Sequence, residues 1–175
     1  MKFTATTIHG VALIELAPVA DERGYFARCF DEREFAKRGY ALHVIQTNIS
    51  LNVRKGTLRG LHYQIPPHAE TKLVRVAVGA IYDVVLDLRL DSPSFKKWEA
   101  FELTAKNQRA LYSPEGCAHG FQTLVDNTEV FYEMGNYYEP SAARGVRYDD
   151  PALKIRWPLP IAIISEKDKS YLNFS

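Results

Sequence analysis

The feature that most constrains this chain is a succession of short segments rich in Val, Ile, Leu, Phe and Tyr, cut by Gly, Pro and Asn from one end to the other. They read VALIEL, YFARCF, HVIQTNISL, TLRGLHY, KLVRVAV, AIYDVVLDLRL, WEAFELT, FQTL and TEVFYEM. β-branched and aromatic residues fit a pleated, half-buried surface, and the punctuating residues turn the chain. So many short strands with almost no helix between them imply antiparallel pairing in a sandwich or barrel. Only DEREFAKRG, Asp31 to Gly39, reads as helical, with Asp31 as N-cap and Gly39 as the stop. A second short helix is expected near Ser141. With 175 residues, 46% of them hydrophobic and 12% aromatic, the chain can fill one core, so residues 1–175 are expected to form a single domain.

Charge excludes one large class of partner. The formal net charge is +1 and no basic run stands out, so the electrostatic footprint of a general nucleic-acid binder is missing. A local basic pocket for a phosphorylated small molecule is still compatible with that balance. No apolar run reaches the length of a membrane span and MKFTATTIHG lacks the pattern of a signal peptide, which gives the expectation of a soluble, cytoplasmic protein with no membrane partner. Cys29 and Cys117 are two lone thiols far apart, supporting neither a disulfide framework nor a Cys-paired zinc site.

Several polar residues stand where plain strands would be apolar. In HVIQTNISLN, the residues Gln46, Asn48, Ser50 and Asn52 share one face and Ile45, Thr47, Ile49 and Leu51 the other. Taken alone, that polar row reads as a solvent-facing surface. In LRGLHYQ, strict alternation puts Arg59 and His62 on opposite faces unless Gly60 allows a bulge that re-aims one of them. Lys72 heads a row shared with Val74, Val76 and Val78; such a cation either snorkels outward or is held inside to meet an anion. His119 follows the turn in SPEGCAHGF, and Tyr132 and Tyr138 share a parity in VFYEMGNYYEP. Each has an ordinary structural reading on its own, yet two His, a Lys and two Tyr on one small sheet are expensive to bury together without a use.

The order of RGYF, QTNIS, LRGLHYQIPP, KLVRV, GAIYDVVLDLRLDSPSF, PEGCAHGF, YYEP, DDP and SEKD resembles the dTDP-4-dehydrorhamnose 3,5-epimerase family from about Asp21 to Asp168. That resemblance implies a mainly β fold, a cupin-type jelly-roll barrel with a few short helices, working as a homodimer. It implies epimerisation beside a ketone in a nucleoside-diphosphate 4-keto-6-deoxy sugar. His62 would be the base, Asp168 its oriented carboxylate partner, Lys72 the cation at the enolate oxygen and Tyr132 the acid. Gln46, Asn48, His119 and Tyr138 would line the sugar, Arg23 and Arg59 would hold the diphosphate, and Phe26 would stack on the base. No metal or cofactor is implied: Gln64 replaces the second His of the first cupin motif, and Lys72 brings positive charge where metal cupins carry a glutamate.

The chain also departs from the family. Arg28 stands where an acidic residue is common near the nucleobase, and a cation cannot accept the imide proton that a carboxylate takes from thymine. Met134, Gly135 and Asn136 replace polar residues before the tyrosine pair, and Cys117 replaces an aromatic. The alternatives are therefore an enzyme inverting one carbon or using another nucleotide, and, further away, a metal-dependent cupin or a non-catalytic sugar-nucleotide binder.

Overall fold

The computed structural model describes residues 1–174. In chain order the strands are β1 (Lys2–Ala5), β2 (Ala12–Glu15), β3 (Val19–Asp21) and β4 (Gly24–Phe26). After helix α1 (Glu32–Ala36) come β5 (Gln46–Asn52), β6 (Leu58–Gln64), β7 (Lys72–Val78), β8 (Ala80–Asp87), β9 (Trp98–Thr104), β10 (Arg109–Ser113), β11 (Cys117–Thr123), β12 (Thr128–Met134) and β13 (Ala143–Gly145). Helix α2 (Glu166–Lys169) follows. One sheet has the order β1-β2-β10-β7-β12-β5 and the other β13-β6-β11-β8-β9, while β3 and β4 form a separate hairpin. Every strand pair is antiparallel. This is the mainly β, cupin-type jelly roll that the resemblance implies.

The continuous apolar strands are explained by burial on both faces. Val74, Val76, Ile81, Val85, Leu111, Phe121 and Val130 meet between the sheets. Residues of the opposite parity serve other cores: Leu73 joins Phe35, Ile14 and Tyr112 under α1, and Val84 and Leu86 join Leu61, Val146 and Leu153 outside the five-stranded sheet. Fully burying one such side chain stabilises the fold by roughly 1.5–3 kcal/mol.

Helix α1 begins as the sequence predicts, because the Asp31 side chain accepts from the Glu34 N–H at 3.2 Å. It covers five residues rather than the whole stretch, and the chain turns away at Gly39, φ +81°. The helix expected near Ser141 is a correction: residues 140–142 form a turn that leads into β13, because the backbone there is taken up by pairing with β6. Among the described residues no helix is long and apolar enough to cross a membrane.

Candidate active site

A cavity of about 710 Å3 opens at one end of the barrel. This is a volume suited to a small-molecule ligand. Its wall is drawn from both sheets, and the local geometry of β6 decides what reaches it. His119 pairs with His62 and Phe121 with Arg59, so two residues of β11 span three steps on β6. That is the bulge Gly60 makes possible, and with it both Arg59 and His62 line the cavity. Only glycine fits at this position: φ is +114°, and a Cβ would stand 2.6 Å from the Gly120 Cα.

His62 and Asp168 form a polar pair in the cavity wall, with Nε2 2.6 Å from Oδ1. The carboxylate comes from α2, whose N-cap Ser165 accepts from the Asp168 N–H at 3.0 Å. Its second oxygen accepts from the Gly60 N–H at 3.2 Å. Burial alone would raise the carboxyl pKa, but the hydrogen bond and charge of His62, with Gly60 and Ser165, hold it below the usual carboxylate range. Tyr171 stands edge-on to the imidazole, ring centroids 6.1 Å apart, and packs against Gly145, where any side chain would collide with its ring.

Lys72 is held inside rather than snorkelling out. Its Nζ donates to the His62 carbonyl at 2.9 Å and lies 3.0 Å from Glu70 Oε1, and both side chains are less than a tenth exposed. Tyr132, on β12, lines the same cavity. The polar row on β5, which taken alone reads as solvent-facing, is corrected by the fold: Gln46 and Asn48 line the cavity, and the Gln46 Oε1 accepts from the Tyr138 N–H at 2.9 Å. Tyr138 is part of the same wall, and Arg59 is aimed by a hydrogen bond from its Nε to Asn52 Oδ1 at 2.6 Å.

His119 lines the cavity too, but as half of a second pair, its Nε2 2.6 Å from Asp83 Oδ1. Asp83 is fully buried, and burial pushes its carboxyl up against the opposing pull of His119 and Lys72. Arg23 and Phe26 do not join the cavity of their own chain. Arg23 pairs with Asp21, and Phe26 is 73% exposed at the end of the β3–β4 hairpin. Arg28 pairs with Asp31 at 2.9 Å.

Five lining or supporting residues went unread in the sequence: Glu70, Asp83, Arg144, Lys167 and Tyr171. Asp83 had a signal, an acid inside an apolar strand run, and Lys167 lies within SEKD itself. Cations outnumber carboxylates in the cavity wall, Arg59, Lys72, Arg144 and Lys167 facing Glu70 and Asp168, which suits an anionic ligand. Gln64 is structural, donating to the His68 and Tyr137 carbonyls and accepting from the Glu139 N–H. Among the described residues no group of three His, Cys, Asp or Glu side chains could hold a metal ion. Burial pushes the Cys117 thiol up to about 12, which leaves it unreactive.

A carboxylate-backed imidazole, a buried ammonium and a phenol around one cationic cavity make up an acid–base site on a cupin-type barrel. Such a set can remove a proton from carbon and steady the anion left behind. A family model described as dTDP-4-dehydrorhamnose 3,5-epimerase matches residues 5–175, and the chain belongs to that family. The dTDP-4-dehydrorhamnose 3,5-epimerase of Shigella flexneri is 41% identical over 169 residues, covering 96% of this chain and 93% of the relative. The crystal structure of the Bacillus anthracis enzyme with TDP and PPi bound superposes with a TM-score of 0.95 at 40% identity, covering 99% of both chains. The Legionella pneumophila enzyme in complex with dTDP-4-keto-L-rhamnose gives 0.91 at 36% identity, over 97% of this chain and 90% of that one.

Proposed function

We propose that the protein epimerises a nucleoside-diphosphate 4-keto-6-deoxy sugar at C3 and C5, of the dTDP-4-dehydro-6-deoxyglucose type. The observation that carries this reading is that His62 with Asp168, Lys72 and Tyr132 share one cavity. His62 takes the proton from the carbon next to the ketone, and the C–H electron pair moves into the enolate. Asp168 fixes the imidazole tautomer and steadies the imidazolium. Lys72 meets the oxygen at C4 as it becomes negative, where one such donor typically contributes about 3 kcal/mol. Tyr132 returns a proton from the opposite face and is reprotonated by solvent, while His62 releases its proton to solvent. Gln46, Asn48, His119 and Tyr138 line the sugar, and Arg59 binds the diphosphate through charge-assisted hydrogen bonds.

The protein works as a homodimer in this reading. Support comes from β5, whose inward face is polar and whose outward residues Ile49 and Leu51 are 60% and 53% exposed, a row that water does not favour. It comes also from the hairpin, which holds Arg23 and Phe26 clear of their own cavity, where they are free to complete a partner's site on the diphosphate and the base. A cytoplasmic location goes with two unpaired cysteines, one of them exposed.

NMR of the 4-keto sugar nucleotide in deuterated water tests the reaction, and exchange at both C3 and C5 is expected. Exchange at C3 alone marks a single-carbon enzyme, and tight binding without exchange overturns the reading. In Tyr132→Phe, exchange continues at a reduced rate while inversion is impaired; inversion at the normal rate removes Tyr132 as the acid. Mixing Arg23→Ala with His62→Ala protein is expected to restore part of the activity that neither has alone. No recovery after subunit exchange argues against a shared site.

A further inference from the structure

The cavity contains one carboxylate that the proposed proton transfers do not use. Glu70 lies two residues before Lys72, outside any strand, yet is as deeply buried as the lysine it faces. Its place is set by the backbone on both sides. The Asn136 amide donates to the Ala69 carbonyl at 3.1 Å, and the Gly135 N–H donates to the Thr71 carbonyl at 2.8 Å. The Gly-Asn pair that departs from the family pattern thus pins the loop that carries Glu70 to the end of β12, the strand of Tyr132.

A buried ammonium needs a partner, because taking an unpaired charge out of water is costly. The groups around Lys72 differ in what they do about that. His62 offers a backbone carbonyl, Tyr132 a phenol on the same cavity wall, and Cys117 a buried thiol that burial keeps protonated. Asp83 contributes some negative potential, but its carboxyl is already engaged with His119. Among the described residues, Glu70 is the only carboxylate in ion-pair contact with Lys72. An ammonium has three N–H donors. One is on the His62 carbonyl, and Glu70 Oε1 stands 3.0 Å from the nitrogen as its ion-pair partner, which leaves an N–H for the cavity.

We infer that Glu70 is a positioning residue for Lys72: its carboxylate holds the buried ammonium in place and turns an N–H toward the substrate ketone oxygen. The inference rests on the enolising role proposed for the cavity. Since negative charge reaches that oxygen only as the enolate forms, loss of Glu70 lowers kcat while leaving KM nearly constant.

The test has one readout that needs no turnover. In protein labelled with 15N at the lysine side chains, the mobility of the Lys72 ammonium, its signal assigned by its absence from Lys72→Arg, is measured by relaxation in the wild type and in Glu70→Gln. The ammonium is expected to be more mobile in the variant, because the contact that fixes its direction is gone. Glu70→Ala, which also loses the aim, should fall in kcat by about 10- to 100-fold with little change in KM, since it removes an interaction made in the transition state. An unchanged Lys72 mobility in Glu70→Gln, or a loss confined to KM in Glu70→Ala, overturns the inference. If the mobility rises but wild-type protein exchanges no substrate proton, the ion pair stands and the proposed reaction falls instead.

Discussion

The two His–Asp pairs have the same length, 2.6 Å, and opposite electrostatics. Asp168 is held below the usual carboxylate range and Asp83 is pushed above it, although burial is the largest single influence on both. The difference lies in the remaining donors. Asp168 also receives the Gly60 N–H, whereas the second oxygen of Asp83 has no hydrogen-bond partner. His62 is 43% exposed to the cavity and His119 is nearly enclosed. In the proposed reaction one pair passes protons to the substrate, and the other holds a ring still. Pair distance alone does not assign a role; the count of other donors to the carboxylate and the openness of the imidazole do.

The sharpest way to break this contrast is to delete each imidazole. His62→Ala is expected to abolish deuterium exchange at both carbons, a loss of about 10^4-fold or more, as removal of a catalytic base does. His119→Gln should leave exchange measurable, down by about 10- to 100-fold, because it loses a positioning hydrogen bond rather than the base. Equal losses in the two variants would mean that the enclosed pair also transfers protons.

Next in size is Asp168→Asn, which keeps the shape but removes the charge that steadies the imidazolium. A fall of up to about 10^4-fold in kcat is expected, by analogy with the orienting carboxylate of a catalytic triad. Retention of full activity would leave His62 without need of its partner.

The smallest effect is on stability, and the two carboxylates pull in opposite directions. Asp168 has a lowered folded-state pKa, so its contribution is present above the usual carboxylate range and is lost as pH falls through the lowered value. Asp83 has a raised one, so its contribution is complete below that range and is lost as pH rises through the raised value. In urea titrations across acid pH, Asp168→Asn should flatten the loss at the acid end. Asp83→Asn should remove the decline on the less acid side. A wild-type slope in Asp83→Asn would show that its carboxyl is not raised.

Much of the barrel was legible because its strands are buried on both faces, which produces long apolar runs such as AIYDVVLDLRL. Alternation on β5 was legible too, but not its direction: in a barrel with a wet lumen the polar face of a strand points inward, so Gln46 and Asn48 look like surface residues until the sheet closes. Helix α2 covers four residues and offers no periodicity to read. The same brevity hides why SEKD matters, since Asp168 acquires its partner only through the tertiary fold. Arg23 and Phe26 were singled out by resemblance, and the reason they stay apart from their own cavity is a separate hairpin paired with neither large sheet. Glu70 was missed because it lies in a loop after two prolines, where strand parity says nothing.

The dyad joins residues 106 positions apart, one from a central barrel strand and one from a short helix near the end of the described chain. During synthesis, β6 and β11 can pair while Asp168 is still inside the ribosome, so the walls of the cavity exist before its imidazole has a counter-charge. In the proposed reaction the walls therefore precede the working dyad. A protease cut between β13 and α2 would sever the covalent tie between the strand of the imidazole and the helix of its carboxylate.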